Sequence, residues 1–341
     1  MRRRTTRSTG RQPATPHPIG TGPQRLSACL PRVCVGDRDR QAALLPQATV
    51  MAHGLRGHQG RESAAREYHS GAREGQGRVR LVVTTSKSPT PERMAEAAGL
   101  AVELGIECVD RRGLSVAKLR ERERADGAIV VEHDRIAYHH AAGEFFYHPS
   151  MAKVRVRVIS QGRPDPLVEA MGLEPGMTVL DCTLGRGADA CVAAMVVGET
   201  GSVVGLEADP VVAALTSRGL REFDPEGEAL TRAMRRIVVV CADCSDYLPT
   251  VPDAAFDVVY FDPFFGTVLS GAQAMEGLRA VARHGGISGE TLVQAARVAC
   301  RRVVHKTKRD ACPPELRDWL CVRGRKSRVE YRVLVRGEES P

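Results

Sequence analysis

A carboxylate, a proline and two aromatic rings follow one another at the end of an apolar run. The run Val258–Phe261 has the length and composition of a buried β-strand. The residues that follow it are Asp262, Pro263, Phe264 and Phe265. The Asp262 carboxylate and the Pro263 carbonyl can each accept an N–H, and the Phe265 ring can stack on a flat base. These side chains predict a site that presents a planar exocyclic amine, with Asp262, Pro263 and Phe265 as its catalytic residues.

A second signal is a glycine loop between a predicted strand and a predicted helix. The strand Thr178–Asp181 is followed by Gly185 and Gly187, and the helix begins at Asp189. Glycines let the backbone turn sharply and approach a ligand closely. The first N–H groups of a helix also lack partners within it. The loop therefore predicts a site for a nucleotide-like cofactor, with Asp181 at its edge.

Two later acids complete this pattern. Glu207 ends the next predicted strand, 20 residues after Gly187, where a carboxylate can accept both hydroxyls of a ribose. Asp243 follows the third strand, where it can accept a proton of the adenine amino group. An Asp-Pro turn that merely ends a strand would explain Asp262 and Pro263 alone. The loop and both acids, in this order, favour the functional interpretation.

The identity of the cofactor depends on the residues at the helix start. A dinucleotide site needs a third glycine there, for the pyrophosphate and for close packing. Ala190 stands at that place, three residues after Gly187, and Asp189 lies beside it. A carboxylate repels a pyrophosphate, but it suits a cofactor that carries an amino acid and a sulfonium. The sequence thus favours S-adenosylmethionine over a nicotinamide dinucleotide.

Strands alternate with helices from Asp165 onward, as they do in a parallel sheet covered on both faces. The predicted strands are Thr178–Asp181, Ser202–Glu207, Ile237–Cys241, Val258–Phe261 and Arg302–His305. The predicted helices are Asp189–Val197, Pro210–Phe223, Gly289–Cys300 and Pro314–Leu320. Two final segments, Leu320–Val322 and Val329–Val335, predict an antiparallel hairpin. An α/β sheet with this ending has the Rossmann-like order typical of class I methyltransferases.

A smaller α/β unit precedes this sheet. Its predicted strands are Val79–Thr84, Glu107–Val109, Ala128–Glu132, Arg135–His139 and Glu144–Tyr147, and its predicted helices are Pro91–Leu104 and Ser115–Arg122. Residues 1–78 are rich in Arg, Gly, Pro and Ser and show no hydrophobic periodicity, so they predict a disordered tail. The expected domains are this tail, a small α/β domain at 79–150 and a methyltransferase domain at 151–337.

The net charge of +8 is unevenly distributed. Residues 1–78 hold 14 Arg and 5 acidic residues, whereas residues 79–341 hold 35 basic and 36 acidic residues. Two basic stretches remain, one at 297–336 and one comprising Lys153, Arg155, Arg157 and Arg163. Either stretch can neutralise phosphates or form an ordinary solvated surface. Three residues at the same rim of the sheet as Asp262 are either candidates for holding RNA phosphates or ordinary surface residues: Lys306, Lys308 and Arg309.

Several classes of protein are not supported by the sequence. No apolar run approaches the roughly 20 residues that span a bilayer, and the Arg-rich start lacks the apolar core of a secretory signal. The ten cysteines are irregularly spaced, several within apolar runs, which suits free thiols in a reducing cytoplasm. Cys241 and Cys244 lack a second Cys or His pair. We therefore expect a cytoplasmic protein without a membrane segment or a metal.

Five short stretches carry a resemblance to a known family. They are T-T-S at Thr84–Ser86, F-Y-H-P-S-M-A-K at Phe146–Lys153, D-C-T-L-G at Asp181–Gly185, V-V-G-L-E at Val203–Glu207 and V-V-Y-F-D-P at Val258–Pro263. Through them the chain from Val82 to Val335 resembles the bacterial ribosomal small-subunit RNA methyltransferases of the J type and their Gram-positive relatives. That family methylates, or is presumed to methylate, the N2 amine of a guanine in 16S rRNA.

The resemblance also implies a set of cofactor contacts. They are Ala188–Asp189, Glu207–Ala208, Asp243–Cys244 and Asp262. Two positions depart from the pattern of such enzymes. Phe264 stands where amino-methyltransferases usually have Pro and this family often has Met, and Ala188 stands where Arg is common.

The sequence as a whole predicts an enzyme that transfers a methyl group from S-adenosylmethionine to a guanine N2 in 16S rRNA. The expected mechanism is in-line displacement that relies on positioning, with no metal. Two alternatives stay open. A methyltransferase for a small molecule or a protein side chain would suit the nearly neutral charge of residues 79–341. A non-catalytic RNA-binding protein would rely on the Arg-rich tail.

Overall fold

The computed structural model describes residues 79–141, 143–225, 227–263, 286–324 and 327–336. The predicted tail at residues 1–78 lies outside the described residues, and so do Phe264 and the predicted stacking ring Phe265. The described residues contain a five-stranded sheet and a seven-stranded sheet.

The five-stranded sheet has the strand order β2-β1-β3-β4-β5. Its elements are β1 (Leu81–Thr85), α1 (Pro91–Leu104), β2 (Glu107–Cys108), α2 (Val116–Glu123), β3 (Gly127–Val131), β4 (Ile136–His140) and β5 (Gly143–Phe146). Strand β1 is parallel to β2 and β3, and β3, β4 and β5 form an antiparallel meander. The predicted small α/β unit is thus confirmed, with strand ends that differ by one or two residues.

The seven-stranded sheet and its helices follow. Their elements are α3 (Ala152–Ser160), α4 (Pro166–Met171), β6 (Thr178–Asp181), α5 (Ala188–Val197), β7 (Ser202–Glu207), α6 (Pro210–Glu222), α7 (Glu228–Arg235), β8 (Ile237–Cys241), α8 (Cys244–Tyr247), β9 (Phe256–Phe261), α9 (Gly289–Val298), β10 (Ala299–Lys308), β11 (Leu320–Val322) and β12 (Val329–Val335). Short 3₁₀ turns occupy Leu248–Thr250 and Pro314–Leu316. None of the helices in the described part combines the length and the apolar character that crossing a bilayer requires.

The order of the large sheet is β11-β12-β10-β9-β6-β7-β8. The five strands from β6 to β10 are mutually parallel where they pair, and β12 is antiparallel to both β10 and β11. The chain therefore runs outward from β6 through β7 and β8, and then returns to β9 on the other side of β6. This order is that of a class I methyltransferase, and it confirms the predicted fold class. It also creates a topological switch point between β6 and β9, where open α/β sheets bind their ligands.

Alternation along the strands decides which side chains share a face of the large sheet. Val179, Val258 and Val304 belong to the core that α3 and α5 cover. The residues two positions further along these strands are Asp181, Tyr260 and Lys306. The same face therefore changes from apolar to polar at the carboxyl ends of β6, β9 and β10.

Helix α6 of the large sheet packs against the small sheet. Three of its apolar residues share a core with β1 and β3, namely Val211, Val212 and Leu215. One turn later, Gly219 lies so close to Tyr147 that a Cβ there would come within 1.9 Å of the ring. The domain boundary predicted between residues 150 and 151 falls between β5 and α3, and it remains a prediction.

The described part of the large domain differs from the expected elements in one predicted helix and in four helices that were not predicted, which are α3, α4, α7 and α8. The predicted helix Pro314–Leu320 is wrong, because only the 3₁₀ turn Pro314–Leu316 forms and Leu320 already pairs with β12. Helix α3 was not predicted. Its sequence A-K-V-R-V-R-V-I-S alternates with the period of a strand, although tertiary packing of Ala152 and Val156 makes it a helix.

Candidate active site

The carboxyl ends of β6 and β9 are joined by hydrogen bonds at the switch point. The backbone N–H of Asp262 donates to Thr183 Oγ1 at 2.6 Å, and the N–H of Cys182 donates to the carbonyl of Tyr260 at 2.8 Å. The N–H of Thr183 in turn donates to Asp181 Oδ1 at 3.0 Å. The first acid of the loop and the acid of the Asp-Pro pair are therefore held on neighbouring strand ends. The sequence predicted that each acid ends a strand, but not that the two strands are neighbours.

The glycine loop adopts the backbone that its glycines allow. Gly185 and Gly187 have φ values of 51° and 70°, in the left-handed region that other residues rarely adopt. Gly187 is also the N-cap of α5. The loop is tied to β7 because the N–H of Leu184 donates to the carbonyl of Leu206 at 2.9 Å. A side chain at Gly205 would collide with Leu184, at 2.5 Å, so this close approach also requires glycine in β7.

Glu207 joins the end of β7 to the loop. Its Oε2 accepts from the N–H of Gly185 at 3.1 Å, and its Oε1 accepts from the N–H of Asp209 at 2.9 Å. Burial, opposed in part by these hydrogen bonds, raises the pKa of Glu207 to about 7. Ala208 follows directly at the same rim. The carboxylate of Glu207 therefore lies beside the glycine loop, as a contact to the ribose of the cofactor would require. The ribose contact itself remains a prediction.

Asp243 begins α8, directly after β8. Its Oδ1 accepts from the N–H of Ser245 at 2.9 Å and from the Ser245 hydroxyl at 2.7 Å, so the side chain acts as a helix cap. Cys244 lies partly buried in the first turn, and burial raises the pKa of its thiol. The N–H of Ala242 donates to the carbonyl of Glu207 at 3.0 Å, which brings this turn to the same edge as Glu207. The adenine contact of Asp243 is still a prediction.

Asp181 is the most deeply buried acid at the switch point, with 2% of the residue exposed. Burial raises its pKa to about 8, and the charges of Asp189 and Asp262 act in the same direction. Its hydrogen bond from the N–H of Thr183 opposes this rise only in part. A positively charged group bound beside Asp181 would lower that pKa again.

Lys306 connects two acids of the site. Its Nζ donates to Asp262 Oδ2 at 2.7 Å and to Asp189 Oδ2 at 3.0 Å. The Tyr260 hydroxyl also donates to Asp189 Oδ2, at 2.7 Å. The sequence left Lys306 as either a surface contact to RNA phosphates or an ordinary surface lysine. It instead lies within the site, with 20% of its side chain exposed, so this part of the interpretation was wrong.

Arg155, from helix α3, also contacts the acids of the site. It forms an ion pair with Asp189 Oδ1, and it donates to both carboxylate oxygens of Asp165 at 2.8 and 2.7 Å. The sequence placed Arg155 in a basic surface run, but α3 turns it inward. Both oxygens of Asp189 are therefore engaged by protein groups. The direct cofactor contact expected of Asp189 stays a prediction.

The pKa values of this network follow from burial and from the alternating charges. Burial raises the pKa of Asp189, but the charges of Lys306 and Arg155 outweigh it and lower that pKa. Burial lowers the pKa of Lys306, but Asp189 and Asp262 outweigh it and raise that pKa. Asp262 keeps a raised pKa, because burial and the charge of Asp189 exceed the effect of Lys306. Lys306 and Asp189 are thus firmly charged, whereas Asp262 is more readily protonated.

The charges of the site fit a cationic cofactor. The acids near the switch point are Asp165, Asp181, Asp189 and Asp262, and the bases that contact them are Arg155 and Lys306. Acidic groups are in excess, so an ammonium and a sulfonium would be attracted, whereas a pyrophosphate would be repelled. Within the described ranges, no group of three or more His, Cys, Asp or Glu side chains is arranged to hold a metal ion.

Comparison with known proteins agrees with this chemistry. The family described as "Putative SAM-dependent methyltransferase" matches residues 114–329, which is more than half of the chain. The chain belongs to this family of SAM-dependent methyltransferases. S-adenosylmethionine is accordingly its cofactor.

Individual relatives span much of the chain. The protein YpiP of Bacillus subtilis (strain 168) is 37% identical over 225 residues, which cover 66% of this chain and 88% of YpiP. Ribosomal RNA small subunit methyltransferase J of Laribacter hongkongensis (strain HLHK9) is 33% identical over 179 residues, 50% of this chain and 61% of that protein. A SAM-dependent methyltransferase from Neisseria gonorrhoeae of known structure aligns over 76% of this chain and 97% of its own, with 17% identity and a TM-score of 0.49.

Proposed function

We propose that this methyltransferase modifies the exocyclic N2 amine of a guanine in small-subunit ribosomal RNA. The observation that carries the proposal is the position of Asp262 and Pro263 at the switch point, beside the glycine loop. A further support is the similarity to two proteins named ribosomal RNA small subunit methyltransferase J, at 33% and 31% identity. The chain spans 61% and 56% of their lengths.

In this proposal the cofactor lies along the carboxyl ends of β6, β7 and β8. The residues that hold it are Asp181, Gly185, Gly187, Ala188, Asp189, Glu207, Ala208, Asp243, Cys244 and Asp262. Glu207 accepts the ribose hydroxyls, and Asp243 accepts from the adenine amino group. The excess of carboxylates near Asp181 attracts the positive charges of the methionine portion.

The acceptor amine is oriented by the Asp-Pro pair. Of the Asp262 side chain, 32% is exposed, so a base can reach its carboxylate. Asp262 and the Pro263 carbonyl each accept one N–H, which directs the nitrogen lone pair toward the methyl group. The bound cofactor supplies that methyl group as an electrophilic carbon on a sulfonium. When the amine is methylated, Asp262 would accept the proton that the nitrogen releases. Phe265 is proposed to stack on the base.

Exposed basic residues near the same rim suit an RNA substrate. Lys308 pairs with Val329 at the end of β10, and the N–H of Arg309 donates to the carbonyl of Arg328 at 3.1 Å. Both arginines are exposed. On α3, which sends Arg155 into the site, Arg157 is exposed to solvent. Such residues can neutralise the phosphates of an RNA strand that enters the site.

Mass-spectrometric mapping of 16S rRNA tests this proposal. RNA from cells with and without this gene is digested, and the methylated nucleosides are located. We expect one N2-methylguanosine to be present with the gene, absent without it, and restored by the wild-type gene but not by a gene encoding Asp262→Asn. Identical modification maps from both strains would contradict the proposal.

A second candidate is a methyltransferase for a small molecule or a protein side chain. The observation that favours it is the charge balance of residues 79–341, with 35 basic and 36 acidic residues. Binding of 16S rRNA fragments at increasing salt separates the two candidates. An RNA enzyme loses affinity steeply as salt rises, because its binding to phosphates releases counterions. Weak RNA binding that is insensitive to salt would favour the second candidate.

A further inference from the structure

The ammonium of Lys306 lies between two carboxylates. The mechanism proposed above, in which the Asp-Pro pair orients the amine, does not include Lys306. Lys306 comes from β10, Asp262 from the end of the adjacent strand β9, and Asp189 from the first turn of α5. The two contacts, at 2.7 and 3.0 Å, therefore join the strand end that presents the amine to the helix that follows the cofactor loop.

The surrounding groups hold this ammonium firmly. Tyr260 donates to the same oxygen of Asp189 that accepts from Lys306, and Arg155 occupies the other oxygen. The backbone of Asp262 is also fixed, because its N–H donates to Thr183. Because this backbone is fixed, the Asp262 carboxylate can move only by rotation about its side-chain bonds. The contact with the ammonium of Lys306 restricts that rotation.

We propose that Lys306 is a positioning residue for methyl transfer, which keeps the Asp262 carboxylate ionised and fixed in place relative to the cofactor loop. The inference rests on the function proposed above. An ionised Asp262 accepts both an N–H before transfer and the proton released afterward, whereas a protonated Asp262 can do only the first of these, and poorly. Lys306 thus acts on the reaction through Asp262.

The remaining charges show why Asp262 needs this partner. The ionisable groups that act on the Lys306–Asp262 pair from neighbouring elements are Asp181, Asp189, Tyr260, Tyr331 and Arg155. Asp189 repels a charge on Asp262, and burial opposes it as well. Arg155 is engaged with Asp165 and Asp189. Without Lys306, the proton affinity of Asp262 would therefore rise further.

Carboxyl NMR of the free protein tests the inference without any RNA. The protein is labelled with ¹³C at the aspartate carboxyl carbons, and the Asp262 signal is assigned by its absence in Asp262→Asn. We expect Asp262 to titrate at a higher pH in Lys306→Gln than in the wild type, and at a nearly unchanged pH in Lys306→Arg. Lys118→Gln, an exposed lysine of α2, is the matched control and leaves the titration unchanged. An unchanged Asp262 titration in Lys306→Gln would overturn the inference.

Loss of folding in Lys306→Gln would still be informative. Asp262 would then lack a counterion and would be repelled by Asp189, so the variant should fold again as the pH falls and Asp262 becomes protonated. Circular dichroism across pH measures this. A variant that stays unfolded at every pH, while Lys306→Arg folds, would argue against the inference, because steric loss and not charge would then be responsible.

Kinetics provide a second measurement. In Lys306→Gln we expect kcat to fall by about 100-fold at neutral pH, as small misplacements at a reacting group do, with little change in the Kd for S-adenosylmethionine. Activity should recover partly as the pH rises. Should 16S rRNA prove not to be methylated while the NMR shift appears, the proposed substrate fails and the role of Lys306 stands. If Lys306→Gln methylates rRNA with a normal kcat, the positioning role of Lys306 is wrong, whereas the proposed function stands.

Discussion

At the scale of single residues, the site depends on where each carboxylate lies relative to a cation. Asp189 is paired with Arg155 and Lys306, whereas Asp262 shares Lys306 and keeps an exposed edge. Loss of contact with water raises the pKa values of Asp181 and Glu207, and the backbone N–H groups that donate to them offset only part of this rise. Buried acids of this kind are the groups that a cationic cofactor would stabilise most.

Asp262→Asn should abolish methyl transfer while the protein still binds its cofactor. The amide keeps the shape of the side chain but loses the charge that accepts the proton, so we expect kcat to fall by about 100-fold or more. Calorimetry should still show binding of S-adenosylmethionine, because the other residues proposed to hold the cofactor are unchanged. The control is Asp253→Asn, because 80% of the Asp253 side chain is exposed and it lies before β9, at the opposite end of the sheet. Near-normal turnover in Asp262→Asn would remove Asp262 from the mechanism.

Glu207 should make cofactor binding depend on pH. Its pKa is raised to about 7, and the ionised form is the better acceptor for ribose hydroxyls. Affinity should therefore rise as the pH increases through about 7 and fall below it. Glu207→Gln should weaken binding by about 10-fold or more, because hydrogen bonds to charged groups contribute about 1.5–3 kcal/mol. Calorimetry across pH measures both effects, and a wild-type Kd that is flat from pH 6 to about 8 would contradict them.

At the scale of elements, local patterns predicted the strands well and some helices poorly. The strands β6, β7 and β8 match their predicted bounds because each is a short apolar run that ends at a polar or glycine-rich turn. Helix α3 escaped prediction because its alternating Val and Arg residues imitate a strand. The Pro314–Leu320 segment contains helix-compatible residues. Its last residue, Leu320, nevertheless pairs with Val333 and begins strand β11.

The packing of α6 against the chain after β5 should tolerate no added methyl group. Gly219→Ala would place a Cβ 1.9 Å from the Tyr147 ring, so we expect a loss of about 1–3 kcal/mol in the free energy of unfolding. Gly99→Ala in α1 is the matched control. A Cβ there meets nothing within 4 Å, and alanine should stabilise that helix by about 0.5–1 kcal/mol. Chemical denaturation measures both variants, and equal effects in the two would refute this account of the packing.

At the scale of the whole molecule, the site depends on strand order, which no local pattern contains. The sequence could predict that Asp181, Glu207 and Asp262 end strands, because each follows an apolar run. It could not show that Lys306 contacts Asp262, because this contact requires β10 to pair with β9 in a particular register. The inward turn of Arg155 likewise depends on how α3 packs on α5. The sequence showed that residues 79–341 have a balanced charge, but not that several acids cluster at the switch point.

The exposed arginines near the carboxyl end of β10, Arg309 and Arg328, should contribute to RNA binding and to its dependence on salt. Replacing Arg309 and Arg328 together by Ala should weaken binding of a 16S rRNA fragment. It should also reduce the slope of log K against log salt by about 0.7–0.9 for each phosphate that the variant no longer neutralises. The fold should be unaffected, because both side chains are exposed. Fluorescence anisotropy at several salt concentrations measures the slope, with Lys118→Ala as the exposed control. A slope unchanged by the double substitution would place the RNA elsewhere.

The most direct test of the central claim is a crystal structure of the protein with S-adenosylmethionine and a guanosine-containing RNA fragment. We expect the guanine N2 to lie within about 3 Å of the Asp262 carboxylate and the Pro263 carbonyl, with its lone pair facing the methyl carbon. Lys306 should still contact Asp262 in that complex. A complex in which the methyl group lies far from Asp262, or in which Asp262 faces the protein interior, would contradict the account.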